Sequence, residues 1–206
     1  MSLFITFEGG EGSGKSVHSR RLYRRLLKNG FPTVLTCEPG GTTVGRKIAR
    51  WIKWNGNSSI TPVAELMLFN AARAQSVNQI IKPALENSMA VISDRYTDST
   101  TAYQGYGRML DTATVLAVNN AATGVFKPSL TVLLDVPVEV GLKRKDKNSR
   151  DRFEREEFDF HQRVRDGYLR LAANEPSRWL VIDGTQSRDI IAGVIWQKVS
   201  RLLEGL

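Results

Sequence analysis

The feature that most constrains this chain is a glycine-rich segment near its start, residues 9–16, which reads GGEGSGKS. It follows an apolar run at residues 3–8 and opens a stretch with helical spacing. Glycines in this pattern let backbone N–H groups turn inward around phosphate oxygens, and the following helix adds its positive N-terminal end. The segment fits G-x-x-x-x-G-K-[ST] and therefore predicts a loop that binds a nucleoside triphosphate.

Each residue of this loop has an expected task. Lys15 should reach the β- and γ-phosphates of ATP, and the Ser16 hydroxyl should ligate Mg²⁺. The residues predicted to bind ATP are Gly9, Gly10, Glu11, Gly12, Ser13, Gly14, Lys15 and Ser16. The loop alone does not indicate what happens to the triphosphate.

Short apolar runs alternate with long periodic stretches along the whole chain. Strands are predicted at 3–8, 33–37, 90–94, 130–135 and 179–183, and helices at 15–29, 43–53, 62–87, 112–122, 137–145, 154–174 and 188–203. Runs rich in Val, Ile and Leu with little polar alternation are typical of strands buried on both faces. The pattern predicts an α/β fold, the three-layer P-loop NTPase fold, with a five-stranded parallel sheet flanked by helices. No repeat or linker appears, so residues 1–206 should form a single domain.

Composition excludes several classes of protein. The 206 residues include one cysteine, which rules out an internal disulfide, and no run is long enough for a membrane span or a signal peptide. A cytoplasmic protein is expected, with Cys37 as a small buried residue at a strand end. The net charge is +8, and the basic residues are scattered along the chain or lie on the first helix. No module of stacking aromatic residues accompanies them, so nucleic acid is not the expected partner.

Two residues at the end of the third strand suggest phosphoryl transfer. Asp94 can hold Mg²⁺ through water, and Arg95 can clamp an acceptor phosphate. In isolation such a pair is more often a cap and an ion pair. Beside a phosphate-binding loop, the functional interpretation is favoured.

The segment at about 146–157 is dense in charge and has no apolar period until Phe158. Without other information it would be a solvated surface turn. The alternative is a short lid whose arginines, Arg150 and Arg152, close over the phosphates and neutralise charge in the transition state.

Phe69 and Arg73 are four residues apart and share one face of a predicted helix. An aromatic ring and a guanidinium one turn apart can stack on a base and donate to its carbonyl. The simpler interpretation is a core aromatic residue beside a surface arginine.

Several motifs occur together in one order. They read FEGGEGSGKS at the loop, EPGGT at 38–42, LMLFNAARAQ around Phe69, SDRYTDSTTAYQG at 93–105, LLDVP at 133–137 and RDRFEREEFDF at 150–160. In these motifs the chain resembles the bacterial type of thymidylate kinase over most of its length. The resemblance implies a homodimeric enzyme that uses ATP and Mg²⁺ to phosphorylate dTMP to dTDP in dTTP synthesis.

The resemblance also implies individual roles. Phe69 would stack on thymine, Arg73 would bond its O4, Arg95 would hold the dTMP phosphate and Tyr103 would lie under the deoxyribose. The implied dTMP-binding residues are Glu11, Phe69, Arg73, Arg95, Ser99, Thr100, Tyr103 and Gln104. The implied catalytic residues are Lys15, Arg95, Arg150 and Arg152, and the implied metal ligands are Ser16 and Asp94.

Two positions refine the subtype. Eukaryote-like members have an arginine in the loop where this chain has Gly12, whereas bacterial-type members supply the catalytic cation from the lid; Arg152 is the favoured candidate. Many bacterial members also have an arginine directly before the Glu-Pro of EPGGT, where this chain has Cys37. Arg46 or Arg50 would then compensate.

Two other functions fit parts of the pattern. A deoxynucleoside kinase would take an unphosphorylated acceptor and would need a base near the 5′-hydroxyl. A P-loop ATPase or GTPase would need no acceptor, but the chain has no Asn-Lys-x-Asp motif for guanine.

Overall fold

The computed structural model describes residues 3–54, 60–124, 126–146 and 151–204. Its centre is a parallel sheet of five strands in the order β2-β3-β1-β4-β5. The strands are β1 (Phe4–Glu8), β2 (Thr33–Cys37), β3 (Ala90–Asp94), β4 (Leu130–Asp135) and β5 (Trp179–Asp183). The predicted fold class is confirmed.

Helices cover both faces of the sheet. They are α1 (Lys15–Lys28), α2 (Thr43–Trp54), α3 (Pro62–Ser76), α4 (Lys82–Glu86), α5 (Thr97–Thr100), α6 (Thr112–Thr123), α7 (Val138–Lys143), α8 (Phe158–Asn174) and α9 (Arg188–Glu204). One apolar core includes Phe7 of β1, Leu26 of α1 and Ile195 of α9, and another includes Leu133 of β4 and Val164 of α8. Because β1 lies in the middle of the sheet, the loop that follows it opens between the ends of β3 and β4.

The single helix predicted at 62–87 contains a π-helical segment, Val77–Ile81, between α3 and α4. Lys82 N–H marks its end, since it bonds the Val77 carbonyl five residues back. Pro83 explains the insertion: proline has no N–H, and its ring clashes with the carbonyl four residues earlier in an α-helix. The prediction was correct in extent and wrong in detail.

The sequence analysis missed α5 and the π-helical segment Thr101–Gly107 that continues it. Its threonines and glycines are poor helix formers. Packing against α8 decides the conformation instead: a Cβ on Gly107 would lie 2.7 Å from the Phe160 ring. Tertiary contact therefore overrides local helix propensity here. Helix α5 and the π-helical segment together carry four predicted site residues, Ser99, Thr100, Tyr103 and Gln104.

Two predicted helix ends, the end of α7 and the start of α8, were wrong by two residues or more. Pro137 precedes the first residue of α7 rather than beginning it, and α7 ends at Lys143. Helix α8 begins at Phe158 instead of residue 154. Residues 152–155 form a turn instead, in which the Asp151 carboxylate accepts the N–H groups of Phe153 and Glu154 at 3.0 and 3.1 Å.

Candidate active site

The glycine-rich loop joins β1 to α1, as its sequence requires. Gly9, Gly12 and Gly14 have φ values of 140°, 66° and 95°, a region that side chains disfavour. The loop is also tightly enclosed: a Cβ on Gly12 would lie 2.0 Å from the Gly141 carbonyl oxygen. Glycine is therefore required both for the backbone conformation and for the close approach of α7.

Lys15 is buried beneath this loop. Its Nζ donates to the carbonyls of Gly9 and Gly10 at 2.9 and 2.7 Å and to Ser13 Oγ at 3.1 Å. Burial and the nearby Arg95 lower the pKa of Lys15 to about 8. The ammonium thus has three partners inside the loop and lies where phosphate oxygens would be surrounded by N–H groups.

Ser16 and Asp94 meet across the end of the sheet. The Ser16 hydroxyl donates to the Asp94 carboxylate, which links the first turn of α1 to the end of β3. A hydroxyl and a carboxylate are oxygen donors of the type that Mg²⁺ prefers. The donor pair fits the metal that the sequence implied.

Arg95 adopts a left-handed backbone conformation, with φ at 76°, directly after β3. Its guanidinium donates to Glu11 Oε1 at 2.8 Å and to the hydroxyls of Ser99 and Tyr103, both at 3.2 Å. Burial raises the pKa of Glu11, but Arg95 and then Lys15 hold it well below its usual range. Glu11 is therefore the anion that balances this buried arginine.

Glu8 lies behind Arg95 and was not among the predicted site residues. Its buried carboxylate accepts the Tyr96 N–H at 2.8 Å, the Ser99 hydroxyl at 2.5 Å and the Tyr168 hydroxyl at 3.0 Å. Burial and the repulsion of Asp98 raise the pKa of Glu8 to about 7. Only its place at the end of an apolar strand, directly before the glycines, could have signalled it.

Two cavities open at the carboxyl ends of the strands. The larger, of about 1110 Å³, extends from the glycine-rich loop to the loop after β5. The smaller, of about 50 Å³, lies between the C-terminal half of α3, the π-helical segment Thr101–Gly107 and the lid. The structure gathers all eight predicted dTMP-binding residues around the smaller one, namely Glu11, Phe69, Arg73, Arg95, Ser99, Thr100, Tyr103 and Gln104.

Arg73 is buried, so its interpretation as a surface arginine is wrong. Its five N–H donors meet five acceptors at 2.7–3.1 Å, on Glu38, Asn70, Tyr96, Thr100 and Asn119. A bond from Arg73 to a base oxygen would replace one of these contacts. Phe69 is half-buried, and its ring centroid lies 5.7 Å from that of Phe153 in the lid.

The described part of the lid is partly packed: Asp151, Phe153 and Glu154 are buried, whereas Arg155 and Glu157 are exposed. Arg152 donates to the fully buried Glu65 and, at 3.1 Å, to the Ile52 carbonyl, and it lines neither cavity. Glu65 also accepts from Gln104 at 2.7 Å and from Arg108 at 3.2 Å. The structure therefore places Arg152 away from the phosphate-binding loop; Arg150 lies outside the described residues.

Cys37 is exposed, which contradicts the expectation of a buried residue. It is the last residue of β2, an edge strand, where no helix covers it, and it lines the larger cavity. Although the residue is exposed, the cavity wall partly desolvates its thiol, and this desolvation, with Asp94 and Glu38 nearby, raises the pKa of Cys37. Arg46 and Arg50, the expected substitutes for an arginine here, are exposed and line neither cavity.

The residues at the end of the larger cavity near the loop after β5 were not predicted from the sequence. Arg144 donates to the carbonyls of Gly12 and Gly184, both at 3.2 Å, and so joins the phosphate-binding loop to the loop after β5. Gln186 and Ser187 line the same end. The rule that ligands bind at strand ends applies to β5 as much as to β1 and was the available signal.

Fold and site together define a P-loop nucleotide-binding protein with a second cavity beside the phosphate-binding loop. The family model described as thymidylate kinase matches residues 7–195. The chain therefore belongs to the thymidylate kinase family, the enzymes that phosphorylate dTMP to dTDP.

Individual relatives agree along the full length. A thymidylate kinase of Dehalococcoides mccartyi is 53% identical over 204 residues, covering 99% of both chains. One of Geotalea uraniireducens is 46% identical over 213 residues, covering 100% of both. The crystal structure of thymidylate kinase from Ehrlichia chaffeensis has a TM-score of 0.78 at 32% identity and covers 96% of this chain and 98% of that one. Within the described residues, every helix is too short or too polar to cross a membrane.

Proposed function

We propose that the chain binds ATP in the larger cavity and dTMP in the smaller one, and that the phosphoryl group passes between them where the cavities meet. The observation that carries this assignment is that eight residues from three separate stretches of the sequence line one cavity next to the glycine-rich loop. This arrangement favours an acceptor that already carries phosphate, because Arg95 and Lys53 supply positive charge at the junction.

The larger cavity suits ATP from end to end. Lys15 and the loop N–H groups would take the β- and γ-phosphates, and the adenine would lie near Arg144, whose planar guanidinium can stack on a base. Ser16 and Asp94 would hold Mg²⁺, which neutralises charge on the phosphates when bound.

The acceptor needs positioning more than activation. A phosphate monoester is largely ionised at neutral pH, so its oxygen can attack the γ-phosphorus in line without a protein base, and ADP leaves. Arg95 would hold this phosphate, exchanging its contact with Glu11. Phe69 and Phe153 line the narrow cavity and would move apart to admit thymine.

The catalytic cation would come from the lid. Since Arg152 is held by Glu65 and the Ile52 carbonyl, we assign the cationic role to Arg150 and an anchoring role to Arg152. A second copy of the chain would cover the exposed apolar side chains of α3 and α6. The enzyme would act in the cytoplasm.

An ATP-coupled assay across nucleoside monophosphates and thymidine tests this function. The wild-type enzyme should prefer dTMP strongly, and Lys15→Ala should reduce transfer about a thousandfold while the melting temperature shows a folded protein. Preference for thymidine would indicate a nucleoside kinase instead. ATP hydrolysis that no acceptor stimulates would indicate an ATPase.

A further inference from the structure

The two cavities share a short stretch of wall. Six residues line both of them, Glu11, Glu38, Pro39, Lys53, Arg95 and Asp151. A phosphoryl group that passes from one cavity to the other must cross this wall. Within the part of the chain that the structure describes, Lys53 and Arg95 are the two cations that face both cavities.

Lys53 reaches the junction from the last turn of α2. Ala49, one turn earlier on the same helix face, also lines the larger cavity. Arg46 and Arg50 lie two turns and one turn earlier on α2, are exposed to solvent and line neither cavity. Lys53, in the last turn, is therefore the cation of α2 that reaches the cavities.

The charge of Lys53 acts on both sides of the junction. Burial raises the pKa of the Cys37 thiol, and the Lys53 ammonium opposes that effect across the cavity. Burial likewise raises the pKa of Glu11, and Lys53 adds to the stronger opposing effects of Arg95 and Lys15. The ammonium thus lies between the phosphate-binding loop and the end of β2 that Cys37 occupies.

Its present partner is exchangeable. Lys53 Nζ lies 3.2 Å from Asp151 Oδ2, and its side chain is 40% exposed. Arg95 is paired in the same way with Glu11 at 2.8 Å. An incoming phosphate monoester carries up to two negative charges and would compete with each single carboxylate for its cation.

We propose that Lys53 binds the phosphate of the acceptor nucleotide together with Arg95, and so supplies the positive charge that Cys37 does not. The proposal rests on the proposed function, in which dTMP occupies the smaller cavity. Arg95 holds the phosphate from the β3 side, and Lys53 holds it from the α2 side, between the acceptor site and the phosphate-binding loop.

The test compares dTMP with thymidine, which has the same base and sugar but no phosphate. Binding of both to the full chain is measured by calorimetry for the wild type, Lys53→Gln, Lys53→Arg and the control Lys47→Gln, an exposed residue of α2. Lys53→Gln should weaken dTMP binding about tenfold, the effect of one charged hydrogen bond. Thymidine affinity should not change, and Lys53→Arg should retain most of the dTMP affinity.

Cys37→Arg in the Lys53→Gln background should recover dTMP affinity, because it returns a cation to the same cavity wall. Unchanged dTMP affinity in Lys53→Gln, or an equal loss for dTMP and thymidine, would overturn the proposal. A wild-type chain that does not bind dTMP would instead refute the proposed function. The thermal midpoint of each variant, measured in parallel, separates loss of the contact from loss of the fold.

Discussion

Arg95 illustrates how a single residue is held in a conformation that it does not favour. A left-handed arginine costs on the order of 1 kcal/mol, so neighbouring contacts must stabilise it. Its own N–H bonds the Phe7 carbonyl at 3.0 Å, and the next N–H, of Tyr96, bonds Glu8. Glu8 therefore fixes the backbone that directs Arg95 toward the smaller cavity.

Glu8→Gln should change how stability depends on pH. Because burial raises the pKa of Glu8 from 4.5 to about 7, the native protein binds one more proton than the unfolded protein between those values. Stability from this group is present below pH 4.5 and is lost as the pH rises through about 7. The unfolding free energy of the wild type relative to Glu8→Gln should fall by on the order of 3 kcal/mol over this range.

Urea unfolding at pH 5 and pH 8 measures this difference. Glu139→Gln is the control, since Glu139 is exposed at the start of α7 and is solvated in both states. A wild-type advantage that is the same at both pH values would show that Glu8 titrates alike in the folded and unfolded chain.

At the scale of elements, the lid is attached to the helices beside it. Arg152 connects it to the end of α2 through the Ile52 carbonyl and to α3 through Glu65. Glu65 also bonds Gln104 of the second π-helical segment. The buried carboxylate of Glu65 thus joins α3 to the lid and to the π-helical segment Thr101–Gly107.

Arg152→Ala should destabilise the protein while largely sparing catalysis. The substitution removes one hydrogen-bond donor from the buried Glu65 carboxylate, which still accepts from Gln104 and Arg108. We therefore expect the free energy of unfolding to fall by about 2 kcal/mol and kcat to fall less than tenfold. Thermal unfolding and the coupled assay measure both quantities. Arg155→Ala, exposed in the same segment, should change neither. A kcat lowered about a thousandfold at unchanged stability would make Arg152 the catalytic cation after all.

The whole molecule leaves an apolar surface uncovered. Val63 and Met67 on α3 and Leu116 on α6 are each about half exposed, and the two helices pack side by side. The other faces of these helices already contact the protein interior. A second copy of the chain is the partner that the family resemblance implies for this surface.

Met67→Glu should therefore dissociate a wild-type dimer. Sedimentation should give twice the 23.0 kDa chain mass for the wild type and a single chain mass for the variant, because a charge at the centre of an apolar interface is costly to bury. Ile190→Glu, on the exposed side of α9, should leave the dimer intact. A monomeric wild type would contradict the assignment.

Local sequence was enough to predict much of this molecule. The five strands, their parallel arrangement and the phosphate-binding loop followed from apolar runs, helical spacing and the glycine pattern. These features depend on neighbours along the chain, because the conformation of a glycine loop and the burial of a strand are determined by a few consecutive residues. The residues that line the smaller cavity were also predicted to lie together, although through the resemblance to a family rather than through spacing, and their roles toward dTMP stay predictions.

Tertiary structure decided what depends on residues distant in sequence. Cys37 is exposed because β2 lies at the edge of the sheet, and Arg73 is buried because its acceptors come from three other segments. Arg152 lines neither cavity because Glu65, 87 positions earlier, accepts its hydrogen bond. Lys53 faces both cavities because of how α2 packs. The glycine loop by itself determined that a nucleotide binds, whereas the direction in which each charged side chain points depends on partners that only the folded chain brings together.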